Sequence, residues 1–396
     1  MMQISPETQL FIREHSSDDV RVLALQAKKY PDIDMPTAIT QIAGRKVAAE
    51  KIPSWWEIEK IWYPKHLSLE QCSSEITARY KARLLQGDSL TDLTGGFGID
   101  CSFLATGFKS ATYVERQEEL CEIAAHNFPV LNLNHINIKN EDGVTYLQVM
   151  SPVDCLFLDP ARRNEHGGKT VAISDCEPNV AELEELLLQK ANRVMIKLSP
   201  MLDLSLALKE LKQTQEVHIL SVNNECKELL ILLGQTSPAE ISIHCVNLFT
   251  KGTQKEQHFV FTREQEQCSE CTYTDSLETY LYEPNASLLK AGAFRSIAAA
   301  YPVRKLHPNS HLYTSDTFIE NFPGRIFRIV NQCSFNKKEV KENLAGLKKA
   351  NVTVRNFPAT VAELRKRIHL AEGGDTYLFA STLNNGQKVL IRCEKV

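Results

Sequence analysis

One stretch limits the folds open to this chain more than any other: Leu90-Thr91-Asp92-Leu93-Thr94-Gly95-Gly96-Phe97-Gly98-Ile99-Asp100. A short strand pattern runs into a glycine-crowded turn with an acid on either side, and a helix pattern follows from Cys101 to Ala105. Glycines at such a place let the backbone approach a ligand closely and adopt turn conformations that a Cβ forbids. The helix N-terminus behind them favours anions, so a pyrophosphate is one natural guest. No P-loop lysine is present, however, and Asp92, Asp100 and Glu115 surround the turn. Carboxylates there suit a ligand with hydroxyls and an amine better than a phosphate chain. The turn alone also fits a plain tight turn, so the spacing of the acids downstream of it matters.

Glu115 closes the next strand pattern, Ala111-Thr112-Tyr113-Val114, and lies 23 residues after Asp92. That is close to the ~20 expected for an acid that holds ribose hydroxyls from the neighbouring parallel strand. A third acidic stop, Glu141-Asp142-Gly143, follows Ile136-Asn137-Ile138-Lys139. Asp159 ends the apolar run Cys155-Leu156-Phe157-Leu158 and continues into Pro160-Ala161-Arg162-Arg163. Four strands each ending in an acid place four carboxylates along one edge of a sheet, where open α/β folds bind ligands.

Asp92-Leu93-Thr94-Gly95-Gly96-Phe97-Gly98, Glu115, Asp142 and Leu158-Asp159-Pro160 resemble the ordered motifs of class I S-adenosylmethionine (SAM)-dependent methyltransferases. The whole chain resembles the bacterial THUMP-like-domain methyltransferases. The more specific parts of that resemblance are Ser73-Ser74-Glu75-Ile76-Thr77-Ala78-Arg79-Tyr80-Lys81 and Leu158-Asp159-Pro160-Ala161-Arg162-Arg163. It implies an α/β chain with a Rossmann-like class I methyltransferase sheet. The implied order is an N-terminal helical segment (1–66), a SAM-dependent methyltransferase domain (67–235), a ferredoxin-like segment (236–323) and a THUMP-like domain (324–396), the last two being α+β.

SAM is the implied cofactor. By the same resemblance Glu115 binds the ribose and Asp142 the adenine amine. The turn from Asp92 through Thr94, Gly96 and Gly98 takes the methionine portion, with Asp100 in the cofactor-binding set. Asp159 and Pro160 lie beside the reacting methyl, and with Arg162 and Lys197 they form the expected catalytic group. A carboxylate and a proline carbonyl there accept hydrogen bonds from an exocyclic amine and aim its lone pair at the donor. The chain departs from the amine-methylating pattern after the proline, where Ala161-Arg162 replaces a proline-aromatic pair, and the Arg162 guanidinium offers stacking in its place. Leu198 stands where similar uridine-methylating enzymes carry a cysteine, which disfavours carbon methylation. Lys197 reads either as part of the site or as a strand-end lysine reaching solvent.

At 396 residues two to four domains are expected. Hydrophobic content of 43% and charged content of 24% exclude a disordered or membrane-embedded class. Met1 to Val20 is largely polar, without a leader pattern, and no apolar run approaches the ~20 residues of a membrane span, so the expected compartment is the cytoplasm. Reduced thiols are expected for the eleven cysteines. Cys268-Ser269-Glu270-Cys271 is a lone pair, whereas structural zinc needs four ligands. His244, Cys245 and His258 are the further donors on flanking strands, and no metal is expected.

The net charge of −4 hides an asymmetry. Lys290 to Val396 carries 18 basic and 8 acidic residues, or +10, against −14 for the rest. A basic tail on an acidic body points to a polyanion, here RNA (tRNA or rRNA), though a solvated helix face gives the same count. Lys337, Lys338, Lys341, Lys348 and Lys349 are expected on one helix over 337–349, and Arg365, Lys366 and Arg367 on the next. Trp55, Trp56, Trp62 and Tyr63 suit a helix junction in the core better than a base-stacking surface. Apolar runs at 217–220 and 229–233 around Asn223-Asn224 predict an antiparallel edge hairpin, and a single helix is expected over 287–301.

Three functions remain open: methylation of an RNA base, with an exocyclic amine favoured; methylation of a small molecule or protein side chain; and RNA binding without catalysis. Intact acids at four strand ends argue against the last.

Overall fold

The computed structural model describes residues 4–162, 172–236 and 238–396, Arg162 by its backbone alone. The chain divides into two compact units, Met1–Gln215 with Leu230–Pro238, and Glu216–Leu229 with Ala239–Val396.

The first unit begins with helices. Pro6–Glu14 and Met35–Lys51 each carry a proline in the first turn behind a capping side chain, Ser5 and Asp34, which accept from the Thr8 and Thr37 amides. The longer helix stops at Ile52, before Pro53. Trp55 and Tyr63 are buried, as the aromatic cluster predicts, while Trp56 is exposed near Arg45. Trp55, on the short helix Pro53–Trp56, meets Phe97 edge-on, ring centroids 5.2 Å apart, and so braces the glycine turn that contains Phe97.

Behind them lies a parallel sheet of β1 (Ser89–Asp92), β2 (Ser110–Glu115), β3 (Ile136–Asn140), β4 (Val153–Leu158) and β5 (Ala191–Leu198), in the order β3-β2-β1-β4-β5. Asp92 pairs with Tyr113 on one side and with Phe157 on the other, so β1 ends between β2 and β4. The order reverses at β1, and the crevice at such a switch point is where open α/β sheets take ligands. The inner strands are buried on both faces, as expected where helices cover a parallel sheet.

Asn223 and Asn224, both with positive φ (49° and 68°), turn the chain between β6 (Thr214–Val222) and β7 (Glu225–Gly234). Two residues of that conformation match the twist of a tight hairpin. The hairpin is present, but it is not an edge. In the second unit β8 (Ser242–Leu248) pairs parallel to β6, and β9 (Glu256–Thr262) pairs antiparallel to β8. Nothing in the apolar run at 217–220 records that its outer side would be covered.

The second unit continues with β10 (Tyr280–Pro284), β11 (Arg304–Lys305), β12 (Tyr313–Ser315), β13 (Gly324–Ser334), β14 (Asn351–Val354), β15 (Thr376–Thr382) and β16 (Lys388–Lys395), ordered β11-β12-β10-β13-β16-β15-β14. Because β10 pairs with β13, one sheet runs through residues on both sides of Gly324. Glu283 on β10, 1% exposed, ion-pairs with Arg325 and Arg355 across that join. The single helix expected over 287–301 is two, Ala286–Ala291 and Phe294–Ala300, because Gly292 adopts φ 78° and caps the first. The helix expected over 337–349 ends at Asn343, and Gly346 (φ 81°) turns the chain, so Lys348 and Lys349 lie beyond it. Among the described residues no helix is long and apolar enough to cross a membrane.

Candidate functional site

The glycine turn is held from three directions. A Cβ on Gly95 would sit 2.3 Å from the Tyr113 ring, and Gly96 and Gly98 take φ of 53° and 85°, so the path needs glycine at each. The Tyr113 hydroxyl donates to the Gly96 carbonyl. Glu115 accepts from the Gly96 amide at 2.9 Å and from the Gln117 amide at 2.8 Å. Glu115 therefore joins the end of β2 to the turn, and a carboxylate with about four lone-pair sites keeps capacity for further donors.

Asp92 is 1% exposed, and its Oδ1 accepts the Thr94 amide at 3.0 Å. Its Oδ2 is buried with no hydrogen-bond partner among the described residues. Burial, only partly offset by the Thr94 amide, pushes the Asp92 carboxyl well above the ordinary carboxylate range. Thr94 also accepts from the Asp159 amide at 2.6 Å, linking the ends of β1 and β4.

Asp100, in the first turn of the helix Ile99–Ala105, sits within a buried charge network. Lys81 lies 3.0 Å from its Oδ1, Ser73 donates to its Oδ2 at 2.7 Å, and Lys197 stands 3.5 Å from Oδ2. Lys81, 0% exposed, also reaches Ser73 at 2.9 Å. Lys197 forms an ion pair with the Asp159 carboxylate. Two ammonium groups thus face two carboxylates, the balance that buried charges require. Burial opposes ionisation of Asp100, but Lys81, Lys197 and the Ser73 hydroxyl overcome it and hold its carboxyl below the ordinary value. At Asp159 enclosure wins instead, and the carboxyl lies above the ordinary value despite Lys197. Even so, the Asp159 side chain keeps 36% of its exposure.

Asp142 is exposed and caps the helix Gly143–Val149, its Oδ1 accepting the Val144 and Thr145 amides at 3.0 Å each. A Cβ on Gly143 would meet the Leu93 carbonyl oxygen at 2.1 Å, so this cap is seated against the turn. Pro160 is buried behind Asp159. The backbone of Arg162 pairs with Cys176 in a two-strand ladder; its side chain and Arg163 lie outside the described residues.

Of the residues expected from the sequence, Asp92, Thr94, Gly96, Glu115, Asp100, Asp159 and Lys197 thus form one connected constellation, with Gly98 in the same turn. Asp142 joins it through the helix seated on Leu93. Lys197 does not reach out to solvent. Ser73 and Lys81 belong to it too, and no role was expected for either. Their signal was legible: Thr77, Ala78, Tyr80 and Lys81 fall on one buried helical stripe, where a lysine requires an anionic partner.

A family model for a ferredoxin-like domain matches residues 280–323, and one for a THUMP-like domain matches residues 324–395. A crystal structure from Porphyromonas gingivalis W83, described as a "putative methyltransferase", is 34% identical, with all of both chains covered and a TM-score of 0.87. An rRNA methylase from Streptococcus thermophilus matches at 14% identity, over 40% of this chain and 93% of its own, with a TM-score of 0.30. A Streptococcus mutans "putative methyltransferase" in complex with SAH matches at 14% identity, over 40% of this chain and 96% of its own, also at 0.30. Likeness at that level is too slight to support an inference. No curated protein matches the chain.

Proposed function

The chain belongs to the class I SAM-dependent methyltransferases that carry ferredoxin-like and THUMP-like C-terminal domains, and from that membership we propose that it transfers a methyl group from SAM to RNA, at an exocyclic amine of a base. The observation that supports SAM in this reading is the unpartnered Oδ2 of Asp92 at the switch point of the sheet, among acids from neighbouring strand ends.

The residues present fit SAM. An ammonium group would satisfy the buried Asp92 oxygen, and the Gly96 to Gly98 turn would let the methionine portion approach the backbone closely. Glu115 retains acceptor capacity for ribose hydroxyls, and Asp142 Oδ2 for an adenine amine. When bound, SAM supplies an electrophilic sulfonium methyl group. Lys197 fixes the Asp159 carboxylate, and Asp100, itself held by Lys81, fixes Lys197. Asp159 and the Pro160 carbonyl then accept N–H bonds from the acceptor amine and keep its lone pair directed. A methylated amine must shed a proton, and the raised Asp159 carboxyl is suited to receive it.

A second reading rests on Lys197. An ammonium beside the acceptor stabilises developing negative charge on oxygen, which suits a hydroxyl acceptor such as a ribose 2′-OH. Nucleoside mass spectrometry of RNA methylated in vitro separates the two. An N-methylated base supports the amine reading, and a 2′-O-methylated nucleoside supports the second.

Delivery of RNA is assigned to the basic C-terminal region. Lys337, Lys338, Lys341, Lys348, Lys349, Lys366 and Arg367 are all exposed there. Arg365 instead leans towards Glu372, 3.6 Å away. Phosphate contacts from such a surface are insensitive to sequence and steeply dependent on salt.

A further inference from the structure

A second cluster of chemically capable side chains lies in the second unit, on β6, β8 and β9. Glu216 and His218 are two apart on β6 and share a face. The strand register sets His218 opposite His244 on β8, and Val246, two residues along the same face, opposite His258 on β9. Glu216 Oε2 lies 3.2 Å from His218 Nε2, and His244 Nδ1 lies 3.1 Å from His258 Nε2. The His218 and His244 rings stack between these pairs, centroids 4.3 Å apart at 18°. Donor atoms of Glu216, His218 and His244 all fall within 4.8 Å of one another. His218 is 2% exposed, whereas His258 is open to solvent.

We propose that Glu216, His218, His244 and His258 bind one divalent transition-metal ion, with zinc the preferred occupant, as a clamp across β6, β8 and β9. Tetrahedral zinc holds nitrogen and carboxylate oxygen at about 2.0–2.2 Å, which sets its ligand atoms about 3.4 Å apart. Two of the required edges, Glu216 to His218 and His244 to His258, already have nearly that length. Closure needs a tilt of the stacked rings towards each other. His258 lies outside the group of donor atoms within 4.8 Å, so closure also requires its exposed ring to move towards Glu216 and His218. Three imidazoles and one carboxylate select zinc and its neighbours over calcium or magnesium, which prefer all-oxygen sites.

The sequence hid this site because its ligands come from three strands, with His218 and His244 26 positions apart and His244 and His258 14 apart. The Cys268-x-x-Cys271 spacing is the more visible local signal. Among the described residues neither cysteine belongs to a ligand group, and Cys245 is buried on the opposite face of β8.

The test uses untagged full-length protein titrated with zinc chloride by calorimetry, and with cobalt(II) followed by absorption. The expected result is one ion per chain and a tetrahedral cobalt spectrum without a thiolate charge-transfer band. Affinity should fall at least 100-fold in His244→Gln and stay unchanged in the double variant Cys268→Ser/Cys271→Ser. Absence of binding at micromolar zinc overturns the proposal, as does a thiolate band or loss of binding in the cysteine variant. The cobalt spectrum of the unaltered protein keeps the question decidable if His244→Gln fails to fold.

Discussion

The hydroxyl of Thr94 accepts the Asp159 amide at 2.6 Å while the Thr94 amide binds Asp92 at 3.0 Å, so one residue joins the end of β1 to the end of β4. Thr94→Val keeps the shape and removes the acceptor. It should leave SAM affinity within about threefold and lower kcat by about fivefold, since a neutral hydrogen bond is worth roughly 1 kcal/mol. SAM calorimetry and single-turnover methylation measure the two effects separately. A large loss of SAM affinity with unchanged turnover would place Thr94 at the cofactor alone.

Asp92 gives a pH signature. Its raised folded value means the free protein retains a proton there that the unfolded chain, with an Asp near ~3.9, has already lost. This group therefore makes the free protein less stable as pH rises through that interval. An incoming ammonium favours the carboxylate, so SAM binding should release a proton. Affinity should rise about tenfold per pH unit until Asp92 ionises in the free protein, and decline once the SAM amine loses its own proton, near ~8. Calorimetry in buffers of different ionisation enthalpy counts the proton. Asp92→Asn should bind more weakly and release none; release that persists in Asp92→Asn contradicts the assignment.

Lys81 has a structural task that can be weighed. Lys81→Met leaves Asp100 buried with half its counter-charge, a change that typically costs about 3–5 kcal/mol. Pairing it with Asp100→Asn should restore much of the loss, because both charges then leave together. Chemical denaturation of the four proteins of this cycle gives the coupling, and strictly additive losses would show that the pair does not interact.

Much of this site was legible in the sequence because acids at strand ends and glycines in a turn are local signals. Asp92, Glu115 and Asp159 could be found by reading strand after strand. The resemblance put Lys197 in one group with Asp159, but their direct ion pair was not visible, because 38 residues separate them and the parallel pairing of β4 with β5 unites them. Asp142 illustrates the opposite difficulty: as a helix cap it has a local reason to be an acid whatever it binds. The hairpin of β6 and β7 was predicted from its turn, but its covered flank depends on β8, whose partner no local pattern announces. The end of the Lys337–Asn343 helix turned on Gly346, a stop signal present in the sequence and outweighed there by the lysines beyond it.

The basic surface of the second unit should reveal itself through salt. Lys337→Gln, Lys338→Gln and Lys341→Gln together, in the full chain, should reduce the dependence of log affinity for single-stranded RNA on log salt by about 0.7 per lost contact. SAM affinity should not change. Titrations at several salt concentrations measure the slope, and an unaltered slope moves RNA away from this helix.

The central claim is that Asp159, fixed by Lys197, directs an RNA acceptor. The direct measurement incubates the full chain with methyl-labelled SAM and RNA from cells that lack the protein, followed by digestion to nucleosides. We expect label in a single N-methylated base, absent with Asp159→Ala although that variant still binds SAM. RNA that stays unlabelled while the protein binds SAM, or equal labelling by Asp159→Ala, would contradict it.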